Sequence, residues 1–300
     1  MKRFNLQALE TLCTIARLGT FSAAAQHLNA TQPAISARIK ELENAVKMPL
    51  FSKQGRRMVL TIQGRKLVQM AEPLLHDLDD VMVALGGLDA ATGVVRMGVG
   101  EIAALSWLPD MLQQAKAIMP NVSYEIEVDI TVHMRHRLES GDIDIAIVAA
   151  PLVLNEIKSI PLGTADMVWV IAPELLARLP AANRTDVGIL NAYPIWSLPK
   201  LSATFSMIVD ALRQFDIPLH TLHTYDNFQG IIKLVLNHAG ISLLPRILVQ
   251  DHLDSGHLAM FSHALPEPGL EFVIAWHAGR EQPVIRRLVD IGAECSTFKQ

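Results

Sequence analysis

Cysteine is nearly absent, with two in 300 residues, Cys13 and Cys295, at opposite ends of the chain in stretches that read as helical. That excludes a disulfide framework and a cysteine metal cluster. A thiol switch would want two neighbouring cysteines in one domain, so both read as small packing residues. Long apolar runs are missing too. The longest, Ile145 to Leu154, is interrupted by Pro151 and falls short of the roughly 18 residues that span a bilayer, so no membrane association is expected. Lys2 and Arg3 open the chain, but Gln7, Glu10 and Thr11 break the apolar core that a signal peptide would need. A cytoplasmic location is the expectation. There is no glycine-rich phosphate loop, nucleophile elbow or Ser/His/Asp triad spacing, so neither catalysis nor a cofactor is expected. Eleven histidines do not change this. His220 and His223, three apart in a strand, face opposite sides, and the helical pair His133 and His136 has no third ligand nearby in the chain.

What is present is enough apolar material, half of all residues, for two or three domains with buried cores. The net charge of −4 conceals a division. Residues 1–66 carry eleven Lys and Arg against three acids, Glu10, Glu41 and Glu43, a balance of +8; the rest carry fifteen against twenty-seven, a balance of −12. A basic head on an acidic body suits a protein that sets one part on phosphates and keeps the other in solution.

In the basic head, Leu6, Leu9, Leu12, Cys13 and Ala16 recur at helical spacing and Gly19 follows as a stop, predicting a helix over 5–18. Thr20 caps a second helix, Phe21 to Leu28, and Thr31 a third that accepts Pro33 in its first turn. Ile35, Ile39, Leu42 and Val46 form the buried stripe of the third helix, leaving Pro33, Ala37, Lys40 and Asn44 outside. This is a helix-turn-helix pattern. Pro49–Phe51 and Met58–Leu60 predict two short strands around the basic turn Lys53-Gln54-Gly55-Arg56-Arg57, which reads as a wing. Thr61 caps a long helix in which Leu67, Ala71, Leu74, Leu78, Val81 and Leu85 step by four and three, a heptad seam for dimerisation. Pro73 should kink it, and Gly86-Gly87 should end it.

From residue 94 on, strands alternate with helices, predicting an α/β body. Strands are expected at 94–99, 122–128 and 143–148, with helices at 105–118 and 132–139. A second set has strands at 167–172, 219–223 and 241–244 and helices at 205–215 and 228–237. The closing strand 271–276 and helix 283–295 return to the first set, giving two lobes with crossovers near Leu162 and near 265–267.

These residues resemble the LysR-type family of transcriptional regulators along essentially the whole chain. The likeness is densest in Phe21-Ser22-Ala23-Ala24-Ala25-Gln26-His27-Leu28, Thr31-Gln32-Pro33-Ala34-Ile35-Ser36, Leu42-Glu43, Pro49-Leu50-Phe51 and Leu60-Thr61-Ile62-Gln63-Gly64. Leu108-Pro109, Gly141 to Ile147 and Ala239 to Pro245 are similar to its effector-domain landmarks. The resemblance implies an all-α winged helix-turn-helix (1–60), a linker helix (61–88) and a periplasmic-binding-protein-like α/β effector domain (89–300). In that domain lobe 1 is 89–162 with 267–300, and lobe 2 is 163–266. It also implies double-stranded promoter DNA and a small-molecule effector as partners, a dimer through the linker helix, commonly a tetramer, and RNA polymerase as an optional further partner.

The chemistry of the head assigns base edges to Gln32, which pairs bidentately with adenine, and to Ser36. Thr31 and Pro33 open the same helix. Ala37, where many relatives place Arg or Gln, offers only a methyl contact. Arg38, Lys40, Lys53, Arg56 and Arg57 are the phosphate candidates. By motif position the resemblance assigns the effector to Gly100, Glu101, Ile102 and Thr131 in the first lobe and to Ser202, Ala203, Thr204 and Asn227 in the second. Glu101 leaves two readings open. Pointing into the cleft, it would disfavour a carboxylate and welcome an amine; pointing out, it would be a favourable charge near a helix start. The rival class, an enzyme or solute binder with a helical dimerisation arm, has no reason to carry the +8 head with Gln32, Ser36 and a wing.

Overall fold

The computed structural model describes residues 5–54, 57–152, 154–219, 222–261 and 268–299. The chain divides into two compact units, Met1–Gly87 and Leu88–Gln300.

The first unit contains α1 (Leu6–Leu18), α2 (Phe21–His27), α3 (Gln32–Val46), the antiparallel hairpin β1 (Phe51–Gln54) and β2 (Arg57–Leu60), and α4 (Ile62–Gly86). The caps are the ones the sequence announces: Thr20 accepts the Ala23 amide at 3.1 Å, Thr31 the Ala34 amide at 3.4 Å and Thr61 the Gly64 amide at 3.0 Å. Leu9, Leu12, Ile15, Ala24, Ile35, Ile39 and Leu42 make a shared core with Leu50, Phe51 and Ala71. The carboxylate of Glu43 accepts the Leu50 and Phe51 amides at 2.7 and 3.2 Å, fastening the end of α3 to the start of the hairpin. Gly64 is required by closeness, because a Cβ there would lie 2.2 Å from the Leu50 carbonyl oxygen.

Two expectations change here. The first strand begins at Phe51 and contains Lys53, so Lys53 sits on the strand rather than in the turn, of which residues 55–56 lie outside the described residues. The seam of α4 is also divided. Ala71 is buried and Leu67 half-buried in the core of their own unit, whereas Leu74, Leu78, Val81 and Leu85 stay exposed. The helix runs unbroken past Pro73 to Gly86.

The second unit runs β3 (Thr92–Val99), α5 (Glu101–Leu105), α6 (Leu108–Ile118), β4 (Asn121–Val128), α7 (Thr131–Ser140), β5 (Ile145–Ala149) and β6 (Ile157–Ile171). It continues with α8 (Pro173–Arg178), α9 (Asp186–Ala192), β7 (Ile195–Ser197), α10 (Ala203–Gln214), β8 (Leu222–Thr224), α11 (Phe228–Leu236), β9 (Ile241–Pro245) and α12 (Arg246–Asp254). It closes with β10 (Ala259–Met260), β11 (Gly269–His277) and α13 (Pro283–Cys295). The strand order is β4-β3-β5-β11-β6-β9-β7-β8, with β10 also paired to β6. Strands β4, β3 and β5 are parallel, β11 is antiparallel between β5 and β6, and β7 is parallel to β8 and β9.

The strand expected at 167–172 is the second half of a 15-residue strand. The first half of β6 pairs with β11 and the second half with β9, so one continuous strand belongs to both lobes. Its register against β11 shifts between Phe272 and Val273, opposite Gly163 and Pro161, at the place where a crossover near Leu162 is expected. The other expected crossover, 265–267, lies outside the described residues, as does His220. The helix expected at 105–118 is α6, which starts only at Leu108 because Ser106 leaves helical geometry at ψ −87°; the short α5 before it is an addition. Helices α8, α9 and α12 and strand β7 are additions. In the Gly141-Asp142-Ile143-Asp144 stretch, Gly141 ends α7 in a left-handed conformation and Asp144 exchanges hydrogen bonds with the backbone of Arg96 in β3, so β5 starts only at Ile145. Gly240, at φ +143°, brings the chain to where a Cβ would lie 2.2 Å from the Pro194 carbonyl oxygen.

Candidate DNA-binding face and effector cleft

On α3 the buried stripe Ile35, Ile39 and Leu42 fixes the helix's rotation, and the opposite face is left open. Thr31, Gln32, Pro33, Ser36, Ala37 and Lys40 are all exposed along it. The Ser22 hydroxyl donates to the Gln32 side-chain oxygen at 3.4 Å, which ties the first turn of α3 to α2. Arg38 departs from the expected pattern. It is half-buried and its guanidinium donates to the Thr11 hydroxyl of α1 at 3.4 Å, on the inner side of the helix. Lys53 is exposed on β1. Arg57 begins β2 and pairs in register with Gln54; Arg56 and the side chain of Arg57 lie outside the described residues.

In the second unit the two lobes line an open cavity of about 240 Å³. The first lobe contributes Gly100, Ile102, the start of α7 from Asp129 to Val132, and Ala149 to Pro151 at the end of β5. The second contributes Leu198, Leu201, Ser202, Ala203, Thr204, Ser206 and Phe228, and Leu270 and Phe272 of β11 complete the wall. Of the residues expected at the effector, Gly100, Ile102, Thr131, Ser202, Ala203 and Thr204 are thus brought together from three separate stretches of the chain.

The polar groups of this lining are mostly engaged. Ser202 is buried and caps α10 by accepting the Phe205 amide at 3.1 Å; Thr131 donates to the Ala149 carbonyl at 3.5 Å. Asp129 accepts the Ile130 amide at 2.7 Å and contacts the His133 ring at 2.9 Å. With the Phe205 and His133 amides taken by Ser202 and by the Ile130 carbonyl, helix geometry leaves the amides of Thr131 and Val132 in α7 and of Ala203 and Thr204 in α10 at the cavity from opposite lobes, where they favour a negative or acceptor group. Sequence reasoning missed Asp129, Ile130, Leu198, Leu201, Phe228 and Phe272. Asp129 and Ile130 could have been found as the lead-in to α7; the others meet the cavity only through tertiary packing.

Glu101 and Asn227 are not part of the lining. Asn227 caps its own helix, accepting the Gly230 amide at 2.7 Å, and donates to Asp226 at 2.8 Å. Glu101 follows neither of its two expected directions. From the first turn of α5 in one lobe its carboxylate accepts the Phe228 amide, at 2.8 and 2.9 Å to its two oxygens, at the start of α11 in the other. Burial pushes its pKa above the usual carboxylate range; hydrogen bonds from the Phe228 and Gln229 amides act against that, and Asp226 adds to it.

A winged helix-turn-helix with an open recognition face, together with a two-lobed α/β unit around a small cavity, defines a DNA-binding regulator that reads a small molecule. Residues 6–65 match the description "Bacterial regulatory helix-turn-helix protein, lysR family", and residues 89–294 match "LysR substrate binding domain". The chain belongs to the LysR family of transcriptional regulators. Among curated relatives it is 26% identical over 263 residues to the HTH-type transcriptional regulator GltR of Bacillus subtilis, covering 88% of this chain and 86% of that one. It is 28% identical over 264 residues to CzcR of Bacillus anthracis, covering 88% and 87%. Among solved structures, a full-length OxyR point variant from Pseudomonas aeruginosa superposes with a TM-score of 0.69 at 20% identity, covering 99% of this chain and 96% of that one. Full-length LysG from Corynebacterium glutamicum with bound effector Arg gives 0.65 at 19% identity, covering 99% and 100%.

Proposed function

We propose that this regulator grips promoter DNA with α3 and the β1–β2 wing, and that a small molecule between the two lobes alters its promoter binding and bending. The observation that carries the first half is the exposed α3 face, in the one part of the chain that is strongly basic. Gln32 and Ser36 read base edges, Ala37 meets a methyl group, Thr31 and Pro33 set the helix entry, and Lys40, Lys53, Arg56 and Arg57 hold phosphates. Arg38 steadies α3 on α1 as well as contributing charge. A gel-shift series against the DNA upstream of the protein's own gene, run at several salt concentrations, tests this. Replacing Arg56 and Arg57 with Ala should weaken binding to all sequences and flatten its salt dependence, since fewer counterions are released. Unchanged affinity across the series would remove the wing from the interface.

The effector we infer is small and amphiphilic. An acceptor or anionic end faces the N-termini of α7 and α10, and a compact apolar body lies against Ile102, Leu198, Phe228 and Phe272, within about 240 Å³. Glu101, turned onto α11, does not repel such a group from inside the cavity. A thermal-shift screen of small carboxylates against amines tests the reading, and stabilisation by amines alone would overturn it. The chain acts as a homodimer through the exposed half of α4, with a tetramer and contact with RNA polymerase as further steps of assembly. A promoter-binding protein works where the DNA is, which places it in the cytoplasm, without enzymatic activity or a cofactor.

A further inference from the structure

The contact between Glu101 and α11 joins residues 127 apart in the chain and crosses from one lobe to the other. Three observations bear on what it does. Phe228 is at once the donor of the bond and a wall of the cavity, so whatever holds its amide also sets the cavity's shape. Both carboxylate oxygens lie within 2.9 Å of that amide, so the α11 N-terminus already has a carboxyl group seated opposite its dipole. The side chain is mostly withdrawn from water, and its charged neighbour Asp226 has the same sign, so the placement rests on the bonds to α11.

We propose that Glu101 is an inter-lobe clasp, a carboxylate built into the first lobe that holds the N-terminus of α11 where an anionic ligand would otherwise hold it. The lobes are thereby kept closed before any effector arrives, and Phe228 is positioned as one wall of the cavity. The effector's own polar end is left with α7 and α10, since the third helix N-terminus at the cleft is taken. Glu101 is therefore a positioning residue: it touches Phe228, and acts on the effector through it. The clasp rests on the reading of the cleft given above and deepens it, but its test requires no effector and can fail while that reading stands.

The test uses the full-length chain with Glu101→Ala and Glu101→Gln variants. Hydrogen exchange is followed at the amides of Phe228 to Gly230. The inter-lobe distance is read between spin labels on cysteines placed at the exposed Ser140 of α7 and Gln214 of α10, in a Cys13→Ser, Cys295→Ser background. Labelled chain is diluted into unlabelled chain so that each distance is within one molecule. In Glu101→Ala, exchange at Phe228 should rise at least tenfold and the distance distribution should broaden toward longer values. Sodium formate, against sodium chloride at equal ionic strength, should restore the exchange protection in Glu101→Ala by filling the vacated position but not the distance, because formate has no tether to the first lobe, and should change neither in the parent chain. Glu101→Gln, which keeps a carbonyl acceptor, should retain part of the protection and gain nothing from formate; it carries the test if the alanine variant does not fold. Faster exchange with an unchanged distance would reduce Glu101 to a local helix cap and overturn the clasp. Protection unchanged without the carboxylate would overturn it too, as would formate acting equally on the parent chain.

Discussion

Glu101 shows how one side chain's surroundings become a pH dependence. Its pKa is raised in the folded state, chiefly by burial, so the folded chain holds that proton more tightly than the unfolded chain does. The associated stability is fully present below the ordinary carboxylate range and is lost as the pH rises through the raised pKa. Glutamine cannot lose a proton, so Glu101→Gln should gain melting temperature relative to the parent as the pH is raised from the ordinary carboxylate range, with the difference levelling once Glu101 is ionised. Parallel thermal melts over a pH series check this; a constant difference would contradict it. Glu43 is a residue whose charge alone says little, yet it fastens two backbone amides. Glu43→Ala should cost the first unit about 1–3 kcal/mol by leaving partly buried donors unpaired, visible as an earlier first transition in calorimetry. Cys295 has its thiol pKa raised by burial, then by Asp110 and Glu294, so alkylation by iodoacetamide at neutral pH should be slower than that of a free thiol.

At the scale of elements, α3 and α4 each separate an inner face from an outer one. The caps, the stripe and the Gly stop of the first unit were legible in the chain because each depends on residues within a turn or two. The outer face of α3 predicts two distinct phenotypes. Gln32→Ala should reduce discrimination between operator and unrelated DNA by about 1–3 kcal/mol while keeping the salt slope, whereas Lys40→Ala and Lys53→Ala should each flatten the slope by roughly one unit. Competition gel shifts at several salt concentrations tell them apart. For α4, periodicity alone counted Leu67 and Ala71 in the seam, because a 3-4 repeat does not state which neighbour covers it. Packing assigns those two to their own unit and leaves Leu74 at 59% and Leu85 at 81% exposure. Leu78→Glu with Leu85→Glu should shift the chain to monomer in analytical ultracentrifugation and weaken operator binding, because a monomer grips only one half-site at a time. A persisting dimer would place the interface elsewhere.

At the scale of the molecule, the sequence by itself determined the division into a basic helical head and an α/β body, the order of most elements, and the family. These rest on composition, on periodicity and on short motifs, all of which are local. It also pointed to Gly100, Ile102, Thr131 and the Ser202–Thr204 turn, since a strand end or helix start declares itself in the chain. Short elements such as α8, α9 and β7 were not legible, having too few residues for a period. The continuity of β6 was hidden because Pro161 and Gly163 look like a break, and only its partners β11 and β9 carry the strand through them. The direction of Glu101 was decided by tertiary structure alone. A carboxylate at the start of a short helix satisfies local rules whether it faces solvent or cleft, and its actual partner, the Phe228 amide, is supplied by a helix 127 residues away once the two lobes are folded against each other.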